Sequence, residues 1–114
     1  MGLPSVDEAM IALARLGLPA NFGNPGRVMP HLKEPIVAVN LEKTSATSRT
    51  MVAYVCGPKH LGQIACGQLA TQVAMYWEFM GAQCTYGQYS FDGKAAIHIV
   101  TVYGTWTATE EPAE

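Results

Sequence analysis

Charge is what this sequence has least of. Asp, Glu, Lys and Arg make up 14% of its 114 residues, against about 25% in an average soluble protein. A small domain this poor in charge has trouble covering its exterior with it, so part of that exterior is expected to meet other protein, as in an oligomer or an assembly component. The charges present do not cluster. The formal net charge is -2, and Lys33, Lys43, Arg49, Lys59 and Lys94 are scattered. No basic stripe exists to release counterions from a phosphate backbone, which argues against direct binding of nucleic acid. Long apolar runs are also missing. None approaches the roughly 20 residues that span a bilayer, and Asp7 and Glu8 sit ahead of the first apolar segment, where a signal peptide would carry basic residues.

Cysteine is sparse and odd in number: Cys56, Cys66 and Cys84. With no secretion signal expected, reduced thiols are favoured over a disulfide framework. The spacing Cys56-x3-His60-x5-Cys66 lacks the second ligand cluster of a structural zinc site. Buried thiols behaving as small hydrophobes fit it better, so no metal and no cofactor is expected. The chain carries no phosphate-binding loop, dinucleotide fingerprint, H-E-x-x-H, G-x-S-x-G or calcium-binding loop. Its nine carboxylates include no pair that one element would hold together for acid–base work. A Cys56–His60 nucleophile pair would need an electropositive, partly exposed thiol and a third orienting group. These absences argue against an enzyme.

What the chain does have is a clear order of elements. Half its residues are hydrophobic (49%), and at this length a single domain can bury a real core without staples. A helix is expected over about 5–16, with Ser5 as N-cap, Asp7 and Glu8 in the first turn and Gly17 after its end. A Pro/Gly-rich connection covers 17–35, with a turn at Asn24-Pro25-Gly26; it reads either as a plain linker or as a loop that docks on a neighbour. A hairpin follows over 36–56, whose second strand is apolar on both faces near its end and so suits a sheet interior. Gly57-Pro58 breaks that strand, and Pro58 at the first helical position begins a helix over 58–80. Leu61, Ile64, Leu69, Val73, Tyr76, Trp77 and Met80 would face the sheet. A second hairpin spans 83–107 and turns at Asp92-Gly93 in a two-residue loop. That register sets Phe91 opposite Lys94, Tyr86 opposite Ile99 and His98 opposite Gly87. The segment 108–114 reads as an acidic, frayed tail. The fold class is therefore α+β: helix–hairpin–helix–hairpin, one mainly antiparallel four-stranded sheet with helices packed on it.

The small residues of the second helix, Gly62, Cys66, Gly67, Ala70 and Ala74, form a face that either seats the N-terminal helix or meets another subunit. The last strand, with Tyr103 and Trp106, is long enough to extend past its own sheet and offer an edge to a neighbour. These seven residues are the candidate subunit interface.

The joint Cys56-Gly57-Pro58, the small-residue helix Leu61–Met80, and Tyr89-Ser90-Phe91-Asp92-Gly93-Lys94 followed by a long Val/Thr strand occur here in a recognisable order. In that order, the chain from about Ile36 to Trp106 resembles the small tail-terminator or tail-completion (minor capsid) proteins of long-tailed phages and prophages. The resemblance implies subunits that close into a homo-oligomeric ring, often a hexamer, joining tail tube to head. It also implies phage tail-tube and head-completion proteins as partners, and a location in the host bacterial cytoplasm during assembly and then in the virion. It brings no catalytic residues with it. The segment Pro19–Pro35 has no counterpart in that family pattern. The alternative reading is a small dimeric α+β domain, ligand-binding or enzymatic, with a pocket near Cys56, His60 and His98.

Overall fold

The structure is a computed structural model that describes residues 3–14, 17, 20–22 and 33–108. The turn expected at Asn24-Pro25-Gly26, most of the 17–35 connection and nearly all of the 108–114 tail lie outside them. The first element is helix α1 (Val6–Leu13). It opens on a reciprocal capping box: the Glu8 N–H donates to Ser5 Oγ at 3.1 Å and the Ser5 N–H donates to Glu8 Oε1 at 2.9 Å. Two of the four donors that a helix start leaves unpaired are thereby satisfied. Gly17, at φ +72, donates its N–H to the Ala14 carbonyl and closes the helix end.

Five strands form one sheet in the order β1-β2-β3-β5-β4. They are β1 (Ala20–Phe22), β2 (Ile36–Thr44), β3 (Ser48–Pro58), β4 (Gln83–Asp92) and β5 (Ile97–Thr107). The last four are antiparallel to one another where they pair. The addition is β1, a three-residue strand parallel to β2, within a segment expected to be plain connection. The loop between β2 and β3 is three residues, 45–47. Ser45 tightens it by donating its N–H to the Ser48 carbonyl at 2.8 Å and accepting the Ser48 N–H at its Oγ at 3.0 Å. β3 takes the interior place its two-sided apolar pattern requires, and most of it is buried.

The turn between β4 and β5 corrects the expected register. Phe91 pairs with His98 and Asp92 with Ile97, so the loop is four residues, 93–96. The cause is the Asp92 carboxylate, which accepts the Lys94 N–H at 2.9 Å and the Ala95 N–H at 3.1 Å. This side-chain capping favours a longer turn over a two-residue one. The positive φ then falls on Ala96 (+56) rather than on Gly93. Tyr86 pairs with Val102 and Tyr89 with Val100, so one extra residue bulges from β4 at Gly87-Gln88.

The helix start is corrected too. Pro58 keeps extended backbone (φ −63, ψ 158) as the last residue of β3, and a short 3-10 turn, Lys59–Leu61, follows. Gly62, at φ +89, then turns the chain into α2 (Gln63–Phe79). That conformation is costly for any residue with a Cβ.

Both helices lie on one face of the sheet. α2 presents Cys66, Ala70, Val73, Ala74 and Trp77 to it, and these pack with Val55, Val100, Val102 and Trp106 from the strands and Ala9 and Leu13 from α1. Two strand glycines let the helix lie close. A Cβ on Gly57 would sit 2.8 Å from Leu61 Cδ2 and 3.5 Å from Cys66 Sγ, and one on Gly104 would sit 2.6 Å from Trp77 Cε3. Trp77 also donates its indole N–H to the Ala9 carbonyl at 3.0 Å and meets Trp106 edge-on, with ring centroids 5.3 Å apart. The opposite sheet face holds a smaller cluster of Ala38, Cys56 and Ile97, flanked by Ile36, Tyr54 and Ile99.

Substitution at two glycines separates close packing from open space. Gly104→Ala is expected to destabilise by about 1–3 kcal/mol, because an added methyl collides with the Trp77 ring. At Gly67 the same methyl meets nothing within 4 Å. Gly67→Ala is expected to stabilise the isolated chain by up to about 1 kcal/mol through helix propensity. Urea unfolding of the two variants beside the parent protein reads both signs.

Candidate functional site

The seven residues of the expected interface divide sharply. Cys66, Ala70 and Ala74 are buried against the sheet, and Trp106 is buried beside Trp77. None of these four offers a surface to a neighbour, which corrects the expectation that they would. The physical reason is distance: the small side chains of Cys66, Ala70 and Ala74 allow the helix to approach the sheet closely, with Val73 and Trp77 filling the space beside them. Gly62, just ahead of α2, Gly67, on α2, and Tyr103, on the sheet face away from the helices, are half-buried. Among the described residues nothing comes within 4 Å of a Cβ placed on Gly62 or Gly67.

Part of the helix's bulk goes outward. Ile64 is 80% exposed, Met75 51% and Phe79 83%, although Ile64 belonged to the stripe expected to face the sheet. Their spacing of eleven and four residues sets them in one line along the outer side of α2. Ile11, 69% exposed on α1, continues the apolar surface. Where the helices meet, Glu8, Ile11, Ala12, Tyr76, Phe79 and Met80 line an open groove of about 440 Å³. A second hollow of about 430 Å³ lies between Gln72, Met75, Tyr76 and Phe79. Sequence periodicity missed this surface because α2 is apolar on several sides. The available signal was the pair of strand glycines, which mark where a helix must lie close.

The polar candidates are not brought into one pocket. Cys56 faces away from the helices and lies within the Ala38–Ile97 cluster, and its thiol points to the Tyr54 carbonyl, 3.7 Å away. Burial, with the nearby Cys66 thiol second, pushes its pKa up to about 12. Burial likewise raises Cys66, whose thiol donates to the Val55 carbonyl at 3.4 Å. Cys84 is pushed up to about 11, by burial first and Glu78 second. Such thiols are poor nucleophiles, because the thiolate is the reactive form. His60 is exposed on the 3-10 turn.

His98 has a different setting from the one expected. It lies opposite Phe91, at a centroid distance of 5.0 Å, and stacks with Tyr89 at 5.8 Å. Its Nε2 is 3.2 Å from the Lys59 carbonyl, which can only accept, so Nε2 carries the proton. Nδ1 then accepts the Tyr89 hydroxyl at 2.7 Å. Both ring nitrogens are occupied in tying the 3-10 turn to the rim of the sheet. Among the described residues no group of three or more His, Cys, Asp or Glu is placed to hold a metal ion, and no helix is long and apolar enough to cross a membrane.

The thiols yield a pH prediction. A cysteine whose folded pKa lies above its unfolded value near 9 holds its proton more tightly when folded. Stability is therefore fully present below pH 9 and is lost as pH rises from there toward 12. Denaturation midpoints are expected to fall over that window. Ellman's reagent at mildly alkaline pH should leave Cys56 and Cys66 unmodified in native protein and react with all three cysteines in denaturant. Rapid native labelling of Cys56 contradicts its placement.

No protein-family model matches this chain, and comparison with curated proteins finds no match either.

Proposed function

We propose that this chain is a structural subunit of a phage or prophage particle, a tail terminator or head–tail joining component that works as a homo-oligomeric ring. The observation that carries the reading is the line of Ile64, Met75 and Phe79 along the outer side of α2, continued by Ile11 on α1. Large apolar side chains left in water by a chain that is only 14% charged are surface of the kind that protein contacts bury. The α+β fold accords with the resemblance of residues 36–106 to tail-terminator proteins, and that resemblance supplies the ring. Neighbouring subunits, with tail-tube and head-completion proteins above and below, are the partners that would cover the surface. The work of such a subunit is shape and contact, without a catalytic step or a cofactor.

In this reading the subunit contact shifts from the small-residue face of α2 to its bulky outer face. Gly67, at the margin of that outer face, stays within reach of it.

Light scattering on concentrated protein tests the proposal. A closed multiple of the 12.2 kDa chain is the expected result. Ile64→Lys and Phe79→Lys should each reduce it to smaller species while leaving the thermal midpoint of the subunit within a few degrees, since both side chains are already solvated. A strictly monomeric protein, alone and with purified tail tubes, contradicts the reading. So does an assembly indifferent to both substitutions.

A further inference from the structure

β4 ends the sheet, and the outer side of its backbone is unpaired among the described strands. Such an edge is ordinarily guarded by charge, proline or brevity, because it is a template for another strand. The far side of the sheet has those guards. β1 is three residues long, and the stretch of β2 beyond it carries Glu42 and Lys43 with a bulge between Leu41 and Lys43. β4 runs ten residues, and Gln83–Phe91 contains no charge and no proline. Most of its side chains are exposed, including Tyr86, Tyr89 and Phe91.

The bulge makes this strand complementary to itself. Register with β5 puts Cys84, Tyr86, Tyr89 and Phe91 on the helix side of the sheet, opposite Gly104, Val102, Val100 and His98. Gln83, Thr85, Ser90 and Asp92 lie on the other side, opposite Thr105, Tyr103, Ile99 and Ile97. In antiparallel self-pairing about a point between Gly87 and Gln88, Tyr86 meets the partner's Tyr89, Thr85 the partner's Ser90, Cys84 the partner's Phe91 and Gln83 the partner's Asp92. Each pair joins residues of the same face. Without the bulge, the strict two-residue alternation of a strand would set every one of these pairs on opposite faces. Charge selects the direction as well. Antiparallel pairing separates the two Asp92 carboxylates by the length of the strand, whereas parallel in-register pairing sets them side by side.

We propose that β4 pairs with β4 of a second copy across a two-fold axis at Gly87-Gln88, joining two five-stranded sheets into one. The two tyrosine pairs, Tyr86 with the partner's Tyr89, flank the axis and supply the aromatic cross-strand contacts that stabilise such a seam. The contact is isologous and uses a different surface from the outer side of α2. It goes beyond the ring and does not depend on it; a particle that uses both surfaces has dihedral symmetry.

Cross-linking tests the axis. Gln88 and Gln83 are both exposed, but only Gln88, beside the axis and paired with the partner's Gly87, lies diagonally next to its own copy. Under mild oxidation Gln88→Cys is expected to form a covalent dimer at least about tenfold faster than Gln83→Cys, since neighbouring thiols act at effective concentrations in the millimolar range. The double variant Thr85→Lys/Ser90→Lys sets lysine against lysine on both sides of the axis and should lose the pairing, with the circular dichroism of the parent retained. Mixing it with Thr85→Glu/Ser90→Glu should restore the pairing, which a folding defect would not do. Equal oxidation rates at the two positions, or an unchanged mass for the double-lysine variant, overturn the two-fold pairing. A closed ring whose Gln88→Cys subunits stay uncross-linked overturns it and leaves the ring standing. A cross-linked dimer that never grows overturns the ring and leaves the two-fold standing.

Discussion

The structure depends on the seating of α2 over two strand glycines. Trp77 rests on Gly104 at a distance that no Cβ on the strand would permit, while at Gly57 an added Cβ would touch Cys66 at 3.5 Å and collide with Leu61 of the 3-10 turn. The Trp77 indole N–H reaches the Ala9 carbonyl, so the same residue ties α1 to α2 and both to β5. The Ala82 N–H donates to the Trp77 carbonyl, which carries the restraint into the start of β4. A ring that large contributes a good part of the core area in so small a chain. Arg49 strengthens the same end of the sheet by donating to the Pro4 carbonyl ahead of α1. The rotation of α2 about its axis is fixed by these contacts, and that rotation decides which side chains are left outside.

Two outward surfaces follow. One is the apolar line on the outer side of α2, and the other is the unguarded edge of β4. Neither is required by the subunit's own core, and both sit on a chain with little charge to keep copies apart. The cysteines and His98, which have the chemistry for a site, are occupied otherwise: the thiols by burial and backbone carbonyls, the imidazole by Lys59 and Tyr89. Among the described residues, what is left on the outside is apolar area and an unpaired strand edge.

Much of the fold was legible in the residues. Ser5, Asp7, Glu8 and Gly17 mark α1, alternation marks β2 and β3, and the two-sided apolar end of β3 places it inside the sheet. What stayed hidden was tertiary. Asp92-Gly93 has the composition of a two-residue turn, but the Asp92 side chain caps two backbone N–H groups and lengthens it, which moves His98 from Gly87 to Phe91. Gly57-Pro58 has the form of a helix start, yet Pro58 is equally at home at the end of a strand, and Gly62 makes the turn. Of the stripe expected to face the sheet, Val73 and Trp77 are buried and Leu69, Tyr76 and Met80 pack against the core, but Ile64 points out, because bulk alone does not mark the buried side. Ile64 and Cys66 differ by two positions, and only the glycines on the strands below reveal which of the two faces them.

The rotation of α2 is the claim on which the outward surfaces rest, and hydroxyl-radical footprinting of dilute protein measures it directly. With the helix seated as described, Met75 and Phe79 oxidise rapidly while Trp77 stays protected, and concentrating the protein then shields Met75 and Phe79. Rapid oxidation of Trp77 together with protection of Phe79 at high dilution would mean that the helix faces the sheet with its other side, and the account of the assembly surface would be contradicted.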